Sequence, residues 1–272
     1  MTAVLVALLA GALLGLALGA LGGGGSILAV PVLVYALGQS PAQATTGSLV
    51  VVGTSALIGA VTAHRAGNVL LGRGVAFGAV ALGGAALGGL ASAHVPEPVL
   101  LASFAVLMLV VGGVMAVRQA RGRRRPDAPA HNWDEPIITF SPSFMCQCPR
   151  AAKVLVTATG VGLLTGFLGV GGGFLVVPAL LLALSMPMAY AAGTSLVVIT
   201  MTSAVALAVR VGVGTQPDWT VVLVLAAAAA VGGFLGARLA ARADTRRLMT
   251  AFTALVLAVA IYTAVRALPA VL

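Results

Sequence analysis

The 272-residue chain has few charged side chains and very few acidic ones. Asp, Glu, Lys and Arg make up 8% of its residues, and only six residues are Asp or Glu. A soluble domain usually carries about 25% charged residues, so this scarcity excludes an ordinary soluble protein. With 60% hydrophobic residues and a mean hydropathy of +1.13, the chain is predicted to be an all-α polytopic membrane protein. A helix needs about 20 apolar residues to cross a bilayer, and many apolar stretches approach that length.

Acidic residues are also missing from the apolar segments themselves. Cation pumps and proton relays usually place carboxylates within the membrane, so their absence argues against a cation substrate. The segments also hold no Ser/His/Asp set and no pair of carboxylates, which disfavours a membrane-embedded enzyme. The acidic residues all lie in loops or at segment edges, at Glu97, Asp127, Asp134, Glu135, Asp218 and Asp244.

Cysteine is rare, and its two copies form a Cys-x-Cys pair at Cys146 and Cys148. A structural zinc site needs about four ligands, and His131 is the only additional candidate, so we expect neither a metal nor another cofactor. The surrounding loop is expected to be cytoplasmic, which disfavours a stable disulfide. A redox or metal sensor in this loop is the alternative.

The positive charge is concentrated in loops. The net charge is +9, and the run "RQARGRRR" spans Arg118–Arg125. Basic residues collect in the cytoplasmic loops of membrane proteins and set their orientation. We therefore interpret the run as a topology anchor and expect no nucleic-acid partner.

The chain repeats itself at a fixed spacing. An ordered series of matches over about a hundred residues indicates an internal duplication, and internal repeats are common in transporter folds. The second half is shifted by 147 residues at first and by 148 later. Matched pairs are Gly22 with Gly169, Pro31 with Pro178, Ser48 with Ser195, Gly84 with Gly232 and Phe104 with Phe252.

Each half contains five apolar segments. We assign 1–117 to a first transmembrane repeat, 118–151 to a basic cytoplasmic linker and 152–272 to a second repeat. Eight to ten of the segments are expected to span the membrane. The segments run roughly over 1–21, 26–38, 46–63, 74–93 and 98–117, and over 152–168, 174–186, 192–210, 219–238 and 248–267.

Loop charges predict that the two repeats are inverted. The loop 64–73, the linker and the loop 238–247 hold the clear excess of Arg, so we place all three in the cytoplasm. Equivalent loops then face opposite sides of the membrane, and both termini lie outside the cytoplasm. Inverted repeats around a site at the membrane midplane are a recurring transporter architecture. The protein is expected in the cell (inner or plasma) membrane.

The second segment of each half is short and follows a run of glycines. Segments 26–38 and 174–186 would form helices of about 20 Å, against a hydrocarbon core of about 30 Å. We therefore expect them to be short or re-entrant. Glycine lets a backbone approach a ligand, and helix N-termini attract anions. The predicted anion-binding residues are Gly22, Gly23, Gly24, Gly25 and Ser26, and Gly169, Gly171, Gly172 and Gly173.

Close helix packing is the alternative role for glycine in a membrane. Consecutive glycines do not fit a single packing face, which favours a ligand or cavity for the two runs. Glycines at helical spacing are instead predicted to pack helices, at Gly11, Gly15, Gly19, Gly84, Gly88, Gly162, Gly166, Gly232 and Gly236.

Hydroxyl groups open the third and eighth segments, in "QATTGS" and "AAGTS". We predict that they contact the anion, and helix capping remains the alternative. For Thr54, Ser55, Thr200, Thr202 and Ser203, deeper in the same segments, bonding to their own helix is the expected role. Arg65 and Arg210 are possible anion-attracting residues, with snorkelling to the interface as the alternative. The predicted hydroxyl contacts are Thr45, Thr46, Ser48, Thr194 and Ser195.

At these residues the sequence resembles the TauE/SafE family of sulfite and organosulfonate exporters. The resemblance is carried by "LGGGGSILAVPVLV" with "ATTGSLVV", and by "GFLGVGGGFLVVPALL" with "AAGTSLVVI". It implies an ion-coupled secondary transporter that exports small sulfur-containing anions such as sulfite, thiosulfate or organosulfonates. Partners are then the anion, the lipid bilayer and a coupling proton or ion. Alternating access is the expected mechanism, and a passive small-anion channel is the alternative. The sequence does not indicate an oligomeric state.

Overall fold

The computed structural model describes residues 2–92, 97–122, 148–168, 173–182, 184, 186–210 and 217–271. The described residues form helices and connecting turns without a strand, which confirms the all-helical fold. A 3-10 turn, Gly22–Gly25, precedes α2, and a π-helical turn, Val32–Ala36, follows it. The helices are α1 (Thr2–Leu21), α2 (Ser26–Pro31), α3 (Pro41–Arg65), α4 (Leu71–Ser92), α5 (Glu97–Gly122), α6 (Cys148–Leu168), α7 (Gly173–Leu182), α8 (Met188–Arg210), α9 (Trp219–Arg242) and α10 (Thr245–Val271).

Several helices are long and apolar enough to cross a bilayer. Within the described ranges, four stretches satisfy both conditions, and shorter apolar stretches lie in α1, α5 and α6. Large apolar side chains also point outward, where a soluble protein would place polar ones; Leu13 is 67% exposed and Val156 is 70% exposed. Both features fit a polytopic membrane protein. The four stretches are Thr46–Arg65, Leu71–Gly88, Met188–Ala208 and Trp219–Arg242.

Local capping chemistry sets the start of two of these helices. Before α3, Ser40 Oγ accepts a hydrogen bond from the Gln43 backbone N–H, and Gln43 Oε1 accepts one from the Ser40 N–H. Before α9, the Asp218 carboxylate accepts from the backbone N–H groups of Thr220 and Val221. These bonds satisfy donors that the first turn of a helix leaves unpaired.

Small residues bring four helices into close contact in two pairs. A Cβ added at Gly15 of α1 would lie 2.7 Å from the carbonyl carbon of Ala229 in α9. A Cβ added at Gly162 of α6 would lie 2.8 Å from the carbonyl carbon of Ala81 in α4. Neither position therefore has room for a larger side chain. The packing role is confirmed for Gly11, Gly15, Gly19, Gly84, Gly162, Gly166, Gly232 and Gly236.

The two helix pairs repeat the same contacts at the spacing of the duplication. A Cβ at Gly232 would lie 2.9 Å from Leu16 N, and one at Gly84 would lie 2.9 Å from Leu163 N. Gly84 and Gly232 are 148 residues apart, and Leu16 and Leu163 are 147 apart. The first helix of each half thus packs against the fourth helix of the other half, so the halves interlock.

Helix directions follow from the order of the contacts. Along α1, Gly11, Gly15 and Gly19 meet successively later residues of α9, so these two helices run in the same direction. Along α3, Gly53 meets Ser203 whereas Gly59 meets Leu196, so α3 and α8 run in opposite directions.

The remaining contacts give the directions of the other helices. Contacts of Gly47 and Ser55 advance along α9, so α3 runs with α1 and α9. Contacts of Gly74 and Gly78 advance along α8, and those of Gly162 and Gly166 advance along α4, so α4, α6 and α8 share the other direction. Equivalent helices of the two halves are therefore antiparallel.

Basic residues gather at one end of the bundle, here called the basic end. It is formed by the ends of α3, α5 and α9 and by the starts of α4, α6, α8 and α10. Among the described basic residues, Arg210 and Arg266 lie at the opposite end, where α8 and α10 finish. The basic end holds Arg65, Arg73, Arg118, Arg121, Arg150, Lys153, Arg238, Arg242, Arg246 and Arg247.

Helical structure extends into both ends of the segment assigned to the linker. α5 continues to Gly122 and α6 begins at Cys148, whereas the linker was placed at 118–151. Hydropathy ends a segment where charge begins, but basic residues near a helix C-terminus interact favourably with its dipole and allow it to continue. Cys146 and His131 lie outside the described residues.

Candidate functional site

A sharp break separates α1 from the helical segment that follows. Leu21 has φ −107° and ψ 2°, and Gly22 has φ +70°, in the left-handed region that favours glycine. The chain then folds back onto α1, because a Cβ at Gly25 would lie 2.7 Å from the carbonyl oxygen of Leu14. Residues 2–36 therefore form a helical hairpin, called here the first hairpin.

The returning helix begins where the sequence predicts, because α2 starts at Ser26, after the glycines. The glycines themselves, Gly22–Gly25, form a 3-10 turn. Gly25 has helical dihedrals, φ −68° and ψ −26°, and leads directly into α2. Glycine lowers helix stability without forbidding helical dihedrals, so a glycine run bounded by packed segments can still be helical.

The break lies against the first turns of α8. A Cβ added at Gly22 would lie 2.5 Å from Ser195 Oγ and 2.9 Å from Ala192 Cα. Ser195 is fully buried, and its hydroxyl donates a 2.7 Å hydrogen bond to the Ala192 carbonyl oxygen. The first half therefore contributes the backbone break, and the second half contributes the hydroxyl that faces it.

The start of α7 meets the first hairpin where α2 begins. A Cβ added at Gly173, the first residue of α7, would lie 2.8 Å from Ser26 Oγ and 2.8 Å from Ile199 Cδ1. Ser26 and Gly173 are equivalent positions, 147 residues apart. Residues at matched positions of the two halves therefore meet at this point.

The meeting point lies near mid-height of α8. Ile199 is the twelfth of the 23 residues of Met188–Arg210. At about 1.5 Å per residue, Ile199 lies about 16 Å from the start of a helix of about 34 Å. Ser195 lies one turn nearer the basic end.

Ser26 and Thr194 already have hydrogen-bond partners. Ser26 Oγ donates a 2.6 Å bond to the Gly23 carbonyl oxygen. Thr194 Oγ1 accepts a 3.2 Å bond from the Leu70 backbone N–H, which ties α8 to the chain just before α4. These bonds give both side chains structural roles, and their contact with an anion remains a prediction.

Deeper hydroxyls behave as two groups. Thr54, Thr200 and Thr202 bond to carbonyl oxygens of their own helices, which confirms the expectation for them. Ser55 departs from it, because its hydroxyl donates a 2.9 Å bond to the Ala229 carbonyl oxygen of α9. The hydroxyl of buried Ser203 has no partner.

The structure does not bring the two predicted hydroxyl sets together. Thr46 and Ser48 are buried in the first turns of α3, whereas Thr194 and Ser195 lie in the first turns of α8. Because α3 and α8 are antiparallel, these sets lie toward opposite ends of the bundle. Sequence similarity placed them in one site, but inversion of equivalent helices separates them.

The other predicted residues have more limited descriptions. Gly23 is buried in the 3-10 turn, while the surroundings of Gly24 and Thr45 are not described. Arg65 is exposed at the basic end, and Arg210 ends α8 at the opposite end. Three predicted residues, Gly169, Gly171 and Gly172, lie outside the described residues.

A cavity of about 20 Å³ lies between the Gly22 break and the basic end. Its volume suits about one water molecule. Asn68 is its most polar lining residue, and no charged side chain lines it in the described part of the chain. Sequence reasoning missed Asn68, Ala192 and Ile199. The small residues of "AAGTS" were the available signal for a close backbone approach.

Charge is concentrated just beyond this cavity. A shallow pocket of about 210 Å³ lies beside Leu21 and is lined by Arg247, with apolar residues around it. Arg238 stacks on the Phe234 ring at 4.2 Å from its centroid, and such stacking fixes a guanidinium by cation–π attraction. The arrangement offers backbone groups and hydroxyls at the centre and positive charge at one mouth.

Comparisons with known proteins agree over almost the whole chain. The sequence model of a family described as Sulfite exporter TauE/SafE matches residues 7–263. A probable membrane transporter protein of Xylella fastidiosa strain 9a5c is 34% identical over 255 residues, covering 93% of this chain and 91% of its own. A protein of the same description from strain Temecula1 is 33% identical over 261 residues, with the same coverages. No solved structure matches the chain.

Proposed function

Because the chain belongs to the Sulfite exporter TauE/SafE family of membrane transporters, we propose that it is a secondary transporter that exports small sulfur-containing anions. Sulfite, thiosulfate and organosulfonates are the candidate substrates, and the protein acts as a carrier rather than an enzyme. The observation that carries the proposal is the contact of Ser26 with Gly173, which joins α2 of the first half to α7 of the second half near mid-height of α8.

The proposed architecture is a pair of inverted repeats in the cell membrane. Antiparallel equivalent helices and the matched contacts of α1 with α9 and of α6 with α4 support it. The basic end faces the cytoplasm, as basic residues in membrane proteins generally do. Both termini then lie outside the cytoplasm, because α1 begins and α10 ends opposite the basic end.

The proposed substrate site uses weak, neutral donors. Near Gly22, a helix break and the Ser195 hydroxyl supply polar groups in surroundings that are otherwise apolar. A sulfur oxyanion carries its charge over several oxygens and can be held by backbone N–H groups and hydroxyls. A site without a buried lysine can also release its anion, which transport requires. Arg65 and Arg247 at the basic end raise the local anion concentration.

Alternating access accounts for the small cavity between the Gly22 break and the basic end. Its volume of about 20 Å³ is too small for a sulfur oxyanion, so in the proposed mechanism this conformation is closed toward the basic end. Transport then requires the first hairpin to move against the first turns of α8 in the other half. A passive small-anion channel would keep a continuous opening, and the close contact of Gly22 with Ser195 supports the carrier.

Transport by the purified full-length protein in proteoliposomes tests this function. Labelled sulfite, thiosulfate, sulfate and an organosulfonate are compared, with and without an imposed pH gradient. We expect accumulation of a sulfur anion against its own gradient when the pH gradient is present. Dissipation of existing gradients alone would indicate a channel, and the absence of flux for every anion would contradict the proposed substrate class.

A further inference from the structure

Gln39 carries a buried carboxamide without a hydrogen-bond partner. The residue is 7% exposed, and neither its Nε2 nor its Oε1 is bonded. Leaving a buried donor and a buried acceptor unpaired is costly, so such groups call for a specific explanation. Thr165 and Ser203 also have unpaired buried hydroxyls. Those hydroxyls can rotate toward a carbonyl of their own helix, whereas Gln39 lies in a loop.

The backbone directs this side chain into the protein. The Gln39 N–H donates a 3.0 Å bond to the Leu33 carbonyl oxygen, and Gly38 just before it has φ +66°. The next residue, Ser40, is fixed in the capping box of α3. With both neighbours constrained, the carboxamide lies over Gly47, where an added Cβ would be 3.6 Å from Oε1.

The second half contains the equivalent backbone hydrogen bond, with a methionine in place of the amide. The Met186 N–H donates a 3.2 Å bond to the Leu180 carbonyl oxygen. Both residues of this bond are shifted by 147 from Gln39 and Leu33. Met186 is 3% exposed, so the turn accepts an apolar side chain of similar length. The fold therefore does not need an amide at this position, so the unpaired carboxamide of Gln39 calls for an explanation other than packing.

Position connects Gln39 with the transport path. Gly47, beneath the amide, stands between Thr46 and Ser48, two buried residues predicted to contact the anion. All of them lie toward the end of the bundle opposite the basic end, which is the outer end in the proposed topology. In the proposed function, a substrate that leaves the central site toward that end would pass the first turns of α3.

We propose that Gln39 is a substrate-contacting residue selective for a monoprotonated sulfur oxyanion such as hydrogen sulfite. Its Nε2 donates to an S–O oxygen, and its Oε1 accepts from the O–H of the anion, so one ligand satisfies both unpaired groups. An alkylsulfonate lacks that O–H and satisfies only Nε2. This inference rests on the proposed function. It specifies the protonation state of the anion that is recognised at the outer end of the bundle.

The test compares Gln39→Met with the matched control Met186→Leu in full-length protein. Flux of labelled sulfite, inhibition by methanesulfonate and thermal stability in detergent are measured for each variant. For Gln39→Met we expect the KM for sulfite to rise about tenfold or more, as for loss of hydrogen bonds to a charged group. We expect a smaller rise in the inhibition constant of methanesulfonate, which loses one bond instead of two.

Stability separates a substrate contact from a structural role. Replacing an unpaired buried amide by an apolar group of similar shape is neutral or stabilising, so the Tm of Gln39→Met should not fall. Met186→Leu should leave both KM and Tm unchanged. An unchanged KM for sulfite in folded Gln39→Met, or equal effects on the two anions, would overturn the inference alone. Wild-type vesicles that move neither anion would overturn the proposed function as well.

Discussion

Two separate constraints act on Gly22, its backbone conformation and the atoms around it. A φ of +70° disfavours any residue with a Cβ, and Ser195 Oγ occupies the space that a Cβ would need. Gly67 has a similar φ of +75°, but nothing lies within 4 Å of its Cβ position. Substitutions at the two glycines therefore distinguish the effect of backbone strain from the effect of steric overlap.

Gly22→Ala is expected to abolish transport and to destabilise the protein more than Gly67→Ala does. Gly67→Ala introduces strain of about 1–2 kcal/mol alone, whereas Gly22→Ala also pushes the hairpin away from α8. Flux in proteoliposomes and Tm in detergent are the measurements. Normal flux in a folded Gly22→Ala variant would show that this break is not part of the transport site.

Ser195 and Ser55 provide a second comparison at the residue scale. Ser195 bonds within its own helix and faces the break, whereas Ser55 joins α3 to α9 through the Ala229 carbonyl. We expect Ser195→Ala to raise the KM of the transported anion with little change in Tm. Ser55→Ala should lower stability by about 1 kcal/mol and leave KM unchanged. The reverse pattern would show that Ser55, and not Ser195, contacts the substrate.

At the scale of elements, two crossings of small residues hold the halves together. Without water in the bilayer, helices associate through close packing, and small residues allow their backbones to approach. The α1–α9 and α4–α6 crossings use equivalent residues with nearly equal distances. Each crossing joins a helix of one half to a helix of the other. Loosening either crossing therefore weakens the contact between the halves, not the contact between helices that are consecutive in the chain.

Gly15→Val and Gly162→Val are expected to destabilise the protein by similar amounts, each by about 1–3 kcal/mol or more. Both variants place a branched side chain against backbone atoms of the partner helix. Gly160→Val is the control, because nothing lies within 4 Å of a Cβ at Gly160 in the same helix as Gly162. Thermal unfolding in detergent measures the three variants. Unequal losses at the two equivalent glycines would contradict equivalent crossings.

At the scale of the whole molecule, orientation is decided by charge. Basic residues at one end of the bundle predict that this end stays in the cytoplasm, because basic loops are retained there. Among the described helices, Arg210 and Arg266 are the basic residues at the opposite end.

Cysteine labelling tests this orientation in a variant with Cys146 and Cys148 replaced by serine. Single cysteines at exposed Ala66 and Ala243 report the basic end, and one at exposed Thr220 reports the other end. In intact cells, a membrane-impermeant thiol reagent should label Thr220→Cys alone. Labelling of all three should require permeabilised cells. Labelling of Ala66→Cys in intact cells would reverse the topology.

Most helix boundaries were predictable because they depend on local chemistry. Apolar segments at 74–93 and 219–238 became Leu71–Ser92 and Trp219–Arg242, within a few residues. The packing glycines of α1 and α6 were also predictable, since their helical spacing defines a face. The 3-10 conformation of the glycine run before α2 was not predictable from the sequence. Sequence pattern marks a weak helix there, whereas a 3-10 turn packed on α1 determines the actual geometry.

By itself, the sequence determined the helical membrane class and the glycines that permit close approach, and it predicted a duplication, because these follow from composition and spacing. Tertiary structure alone decided which surfaces meet. It joined Ser26 to Gly173, placed Ser195 against Gly22 and separated Ser48 from Ser195. The physical reason is that spacing defines the small face of a helix but not its partner. That partner is selected by packing between residues far apart in the chain.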